Sequence, residues 1–205
     1  MYLNGLCFIT GRKESCLTLK EIAAIVLSSG IRCIQYREKD KSRRDIYREA
    51  LMLRELTDKF GASFIVNDYT DIAIAVNADG VHLGQSDLPL KEARKILEKG
   101  KIIGVSTHSI EEAITAEAGG ADYIGFGPIF YTATKDAGKP KGIAALKKIK
   151  KHIKIPVVAI GGIDTENLES VIDAGADAVA VSSGIIQGDI ADNVIRFLDI
   201  LKKPR

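Results

Sequence analysis

Short apolar runs alternate with longer amphipathic runs along the whole chain, and this alternation restricts the available folds more than any other feature. Eight runs are brief and apolar on both faces, at 5–10, 33–36, 63–66, 80–83, 102–105, 123–126, 157–160 and 178–181. Strands of a buried parallel sheet need this composition, because other elements cover both of their faces. Helical spacing occupies the segments between and after them, at 19–28, 43–59, 71–76, 90–98, 110–118, 143–152, 166–174 and 190–201. Gly30, Gly61, Gly100, Gly120 and Gly175 stand just past five of these segments, where a left-handed residue stops a helix. A phrase also recurs where a helix hands over to a strand: Asn77-Ala78-Asp79, Gly120-Ala121-Asp122 and Gly175-Ala176-Asp177. Eight units in 205 residues average about 25 residues each, the short end for a barrel. A doubly wound open sheet is the alternative. The closed form is preferred because eight units are present and no nucleotide-binding glycine-rich loop comes after the first strand. The expectation is an α/β fold, a (β/α)8 TIM barrel, in a single compact domain over 1–205.

Composition narrows the function classes. Apolar residues make up 46% and charged residues 27% of the chain, and the net charge is +2. So small a charge sets up no extended field, which argues against nucleic acid as a main partner. It is compatible with a local basic site for a phosphorylated small molecule. No apolar run approaches the roughly 20 residues that span a bilayer, so no membrane association is expected. The apolar stretch at 6–9 lacks a basic start and a small-residue cleavage pattern, so no signal peptide is read. Cys7, Cys16 and Cys33 are odd in number and fit no metal spacing. Together these features place the chain in the cytoplasm. A homodimer is compatible with the sequence, since barrel helices can face either solvent or a twin.

In a barrel of this kind the active site lies at the C-terminal ends of the strands. The residues at and just past those ends are Gln35 and Arg37 to Lys39, then Asn67-Asp68, then His82 to Asp87, then Ser106 to Ser109. The later strands contribute 127–135, Gly161-Gly162 and Ser182-Ser183-Gly184. The last two loops occupy the place where barrels commonly bind phosphate, and glycine lets backbone N–H groups approach an anion. Tight turns are the plainer explanation of those glycines, but their position favours phosphate. Asp68 and Asp87 are candidate Mg2+ ligands, since this hard ion takes one or two carboxylates plus water and phosphate oxygens. They serve equally well, on spacing alone, as caps of the helices just after them. Arg37, Lys39 and Lys135 are cations on the same rim and suit a diphosphate. Thr132 and Thr134 alternate, so in an extended loop both hydroxyls face one way. The segment 127–142 has the length and glycine content of a lid. His82 reads as a core or supporting residue, His108 equally as a ligand contact or a loop residue, and His152 as part of a solvated basic face.

Six of these segments, in order, resemble the thiamine-phosphate synthase (thiamine-phosphate pyrophosphorylase) family. They are Gln35-Tyr36-Arg37-Glu38-Lys39, Asn67-Asp68, residues 78–87, Gly104-Val105-Ser106, residues 127–135, and Ala159-Ile160-Gly161-Gly162-Ile163. The resemblance implies that a hydroxymethylpyrimidine diphosphate loses pyrophosphate and joins a hydroxyethylthiazole phosphate. It implies that Gln35, Arg37, Lys39, Asn67, Ser106 and Lys135 hold the pyrimidine diphosphate, with Arg37, Lys39, Ser106 and Lys135 acting in catalysis. Asp68 and Asp87 would bind Mg2+, while Thr132, Thr134, Gly162, Ser182 and Ser183 would hold the thiazole phosphate. Two other readings stand beside it. A thiazole tautomerase of the same fold uses a histidine on the sixth-strand loop, where this chain has Pro128. A non-catalytic sensor of a thiamine precursor would lack part of the catalytic set, which is complete here. Tyr131 departs from the family, which usually has proline there, and the chain has only a short segment before its first strand.

Overall fold

The computed structural model describes residues 5–11, 16–132 and 138–203. Strands β1 (Gly5–Ile9), β2 (Cys33–Tyr36), β3 (Ser63–Asn67), β4 (Gly80–Leu83), β5 (Ile102–Thr107), β6 (Tyr123–Phe126), β7 (Val157–Ile160) and β8 (Ala178–Val181) form a closed barrel in sequence order. Every neighbouring pair is parallel, and β8 returns to pair with β1. The first seven helices are α1 (Leu19–Ser28), α2 (Arg43–Lys59), α3 (Thr70–Ala75), α4 (Leu90–Ile96), α5 (Ile110–Ala118), α6 (Gly142–Lys150) and α7 (Leu168–Asp173). After β8 come a four-residue helix, α8 (Ser183–Ile186), and α9 (Ile190–Lys202). The sequence pattern shows no separate α8.

Two strands run further than the sequence pattern suggests. β5 continues through Ser106, which pairs with Gly125, to Thr107 opposite Phe126. β3 likewise continues to Asn67 opposite His82. Polarity marks the end of an apolar run, whereas a strand ends where its ladder stops. Here the ladder carries polar side chains up to the barrel mouth.

Alternation along each strand divides the core in two. Outward residues such as Phe8, Ile34, Phe64, Val66, Ile124 and Phe126 pack beneath the helices. Inward residues Cys7, Cys33, Ile65, Tyr123, Val158 and Ala178 fill the lower barrel. The next inward layer is polar: Gln35, Asn67 and His82 are all buried. The barrel interior is thus largely apolar below and polar above.

The recurring aspartates share one structural task. Asp79 Oδ2 accepts the Phe64 N–H at 2.7 Å and an Arg54 N–H at 2.8 Å. Asp122 Oδ2 accepts from Ile103 N at 2.7 Å and Arg94 Nη2 at 2.5 Å. Asp177 Oδ2 accepts from Val157 N at 2.7 Å and Lys150 Nζ at 2.7 Å. Each carboxylate satisfies an N–H of the preceding strand and pairs with a base on a neighbouring helix. The repeated phrase belongs to the stabilising face of the barrel, away from the mouth.

Candidate active site

A cavity opens at the C-terminal ends of the strands. Gln35, Arg37, Asn67, Ser106, Thr132, Gly162, Ser182 and Ser183 all line it. Lys39, Asp68 and Asp87 stand on the adjoining rim, tied to the cavity through Asn67. Gln35 Nε2 donates to Asn67 Oδ1 at 2.8 Å, Asn67 Nδ2 donates to Asp68 Oδ1 at 2.5 Å, and Lys39 Nζ lies 3.1 Å from Asp68 Oδ2. Thr134 and Lys135 lie outside the described residues.

The two aspartates turn toward each other. Asp68 has φ 67, a left-handed conformation that Asp tolerates better than most residues. Its backbone N–H donates to His82 O at 2.8 Å, which fixes the chain direction at the end of β3. Asp87 Oδ2 accepts from Gly84 N at 2.6 Å, closing its own turn. Neither aspartate caps a helix, because α3 begins after Tyr69 and α4 after Pro89, both without a side-chain cap. Burial pushes the Asp68 carboxyl above the usual range, and the Asp87 carboxylate beside it pushes further in the same direction; Lys39 acts the other way. Two facing carboxylates that repel one another suit a divalent cation completed by water and phosphate oxygens. No group of three or more His, Cys, Asp or Glu that could hold a metal occurs among the described residues.

The opposite wall is a cradle of glycine and hydroxyl groups. Gly161 and Gly162 have φ of 97 and 64. A β-carbon at Gly162 would lie 2.3 Å from the Tyr131 carbonyl oxygen, so the loop after β6 approaches this one too closely for a side chain. Phe130 N–H donates to Gly161 O at 3.0 Å, and Asn167 Nδ2 holds Gly162 O at 2.9 Å. Glycine at 162 thus serves the packing of these two loops. The Ser182 hydroxyl is buried and has no hydrogen-bond partner among the described residues, an arrangement that calls for an external one.

Arg37 enters the cavity from a fixed backbone. Thr10 Oγ1 accepts from Arg37 N at 2.8 Å and donates to Arg37 O at 3.2 Å. His82 is the buried supporting residue that its sequence context suggests: Nδ1 is 2.9 Å from Tyr123 OH and Nε2 is 2.9 Å from Ser106 Oγ. His108 lines the cavity, with Nδ1 2.8 Å from Gly127 O. His152 is exposed, as expected.

The family model for thiamine monophosphate synthase matches residues 6–185. The chain belongs to this family. A relative from Clostridium acetobutylicum, named thiamine-phosphate synthase, is 49% identical over 178 residues, covering 86% of this chain and 84% of its own. One of the same name from Methanosarcina barkeri is 48% identical over 190 residues, covering 92% and 86%. The solved thiamine phosphate pyrophosphorylase from Pyrococcus furiosus superposes with a TM-score of 0.89 at 38% identity, covering 97% of this chain and 95% of that one. The two chains therefore share this barrel almost end to end.

Proposed function

We propose that the protein is a cytoplasmic transferase that joins 4-amino-2-methyl-5-hydroxymethylpyrimidine diphosphate to 4-methyl-5-(2-hydroxyethyl)thiazole phosphate, releasing thiamine phosphate and pyrophosphate. One observation carries this reading beyond family membership: the mouth has two polar walls of different character, one on the rim and one in the cavity. The rim wall joins the facing Asp68 and Asp87 carboxylates to Lys39; the cavity wall offers glycine backbone and the buried Ser182 hydroxyl, which has no hydrogen-bond partner among the described residues. Two phosphorylated reactants need two such walls.

On this reading Gln35 and Asn67 hold the pyrimidine end, and Arg37, Lys39, Ser106 and Lys135 grip the diphosphate. Asp68 and Asp87 hold Mg2+, which when bound adds positive charge against the departing diphosphate. Gly162, Ser182, Ser183, Thr132 and Thr134 fix the thiazole phosphate. The bond between the pyrimidine methylene carbon and the diphosphate oxygen breaks, leaving a cation stabilised by the electron-rich pyrimidine. The thiazole ring nitrogen then donates its electron pair to that carbon. The side chains stabilise negative charge as it accumulates on the leaving group. Anchoring both phosphates aligns nitrogen and carbon for attack.

Mixing both substrates with the purified protein tests the proposal. Formation of thiamine phosphate and pyrophosphate in equal amounts, lost in EDTA and restored by Mg2+, is the expected result. Saturable binding of either substrate without product would refute it, as would metal-independent isomerisation of a thiazole carboxylate phosphate in place of coupling.

A further inference from the structure

Tyr123, His82 and Ser106 form a line from the largely apolar lower barrel to the cavity wall. Tyr123 is buried among Cys7, Cys33, Ile65 and Val158. Its hydroxyl meets His82 Nδ1 at 2.9 Å, and His82 Nε2 meets Ser106 Oγ at 2.9 Å. Two glycines make room for the rings. A β-carbon at Gly104 would lie 2.0 Å from Tyr123 Cζ, and one at Gly125 would lie 3.0 Å from His82 Cε1. Strands whose other inward residues pack the barrel leave these two places to the neighbouring rings.

The protons along this line are set by the partners. No acceptor for the Tyr123 hydroxyl proton other than His82 Nδ1 is found among the described residues. Withholding it would leave a buried O–H donor unmade, at a cost of about 1–3 kcal/mol. The hydroxyl therefore donates to Nδ1, which makes His82 the neutral tautomer protonated on Nε2. Nε2–H then donates to Ser106 Oγ. That serine oxygen, already accepting, has its own proton left to give, and Ser106 lines the cavity. Gln85 Nε2 donates to Ser106 O at 2.6 Å and steadies the same residue from the backbone side.

We infer that Tyr123 and His82 are positioning residues that set the direction of the Ser106 hydroxyl, aiming its proton at the anionic ligand in the mouth. The inference rests on the reading of Ser106 as a diphosphate contact given under the proposed function. It assigns His82 no proton transfer to substrate; the imidazole acts through the serine.

Steady-state kinetics on S106A, H82A, H82Q, Y123F and the double variant H82A/S106A test it. S106A is expected to lower kcat/KM for the pyrimidine diphosphate about tenfold or more, the loss of one charge-assisted hydrogen bond. H82A and Y123F should lower the same quantity while leaving KM for the thiazole phosphate near wild type. H82Q, whose amide can still donate toward Ser106, should recover part of the H82A loss. The double variant should equal S106A alone, because a residue acting through the serine has nothing left to orient. Wild-type kcat/KM in S106A overturns the assignment of Ser106 itself. A lowered S106A on which the H82A loss multiplies in full overturns the relay and leaves the serine assignment intact. Wild-type kcat/KM in Y123F also overturns the relay.

Discussion

Asp68 and Asp87 meet at one rim, and their meeting tips the balance that spacing left between metal binding and helix capping. The helix caps that the spacing allowed are absent, and the carboxyls face each other instead. Like charges held together cost stability until a cation neutralises them. D87N retains an oxygen that can accept from Gly84 N and removes the repulsion. In EDTA its Tm should therefore exceed that of the wild type, while added Mg2+ should no longer raise it; differential scanning fluorimetry checks both. The same variant should lose roughly a hundredfold in coupling rate, the scale of a lost metal contribution. Arg37 offers a second test. Its guanidinium grips a diphosphate through a planar fork that lysine lacks. R37K should raise KM for the pyrimidine diphosphate about tenfold and leave KM for the thiazole phosphate unchanged. An equal rise for both substrates would place Arg37 elsewhere in the mouth.

Elements divide the labour between the two ends of the barrel. At the lower end Asp79, Asp122 and Asp177 each bridge a strand N–H to a helix base. D177A leaves the N–H of buried Val157 without its acceptor and should destabilise the protein by about 1–2 kcal/mol. Urea unfolding measures that loss, and kcat should stay at the wild-type value because the site lies at the other end. At the upper end, the loops after β6 and β7 touch where Gly162 meets Tyr131. G162A places a β-carbon 2.3 Å from a carbonyl oxygen at φ 64. It should raise KM for the thiazole phosphate at least tenfold by pushing these loops apart, about 1.4 kcal/mol of binding. The elements themselves were largely legible, because helical and strand periodicities are local. Their upper ends were not: polar Ser106 and Asn67 look like loop, but the ladder holds both. α8 is only four residues long, too short for a period to register.

For the whole molecule, the carboxylate rim and the glycine-hydroxyl wall belong to one closed sheet, so occupancy at the mouth should stabilise the entire fold. Pyrophosphate with Mg2+ at 100 times its Kd should add about 2.7 kcal/mol to the unfolding free energy. Pyrophosphate alone should add much less, since it meets the facing Asp68 and Asp87 without an intervening cation. Denaturant titrations with each component and with both would show the difference.

Local spacing was sufficient to determine eight strands, most helices, their order and the polar character of the strand ends. Periodicity and turn chemistry act within a few residues, so a single window contains them. Only the closed barrel decided that Asp68 faces Asp87, that His82 lies between Tyr123 and Ser106, and that Gly162 yields to Tyr131. Those meetings depend on the stagger between neighbouring strands and on side chains packing around the full circle, a condition met by all eight strands together and contained in no single one.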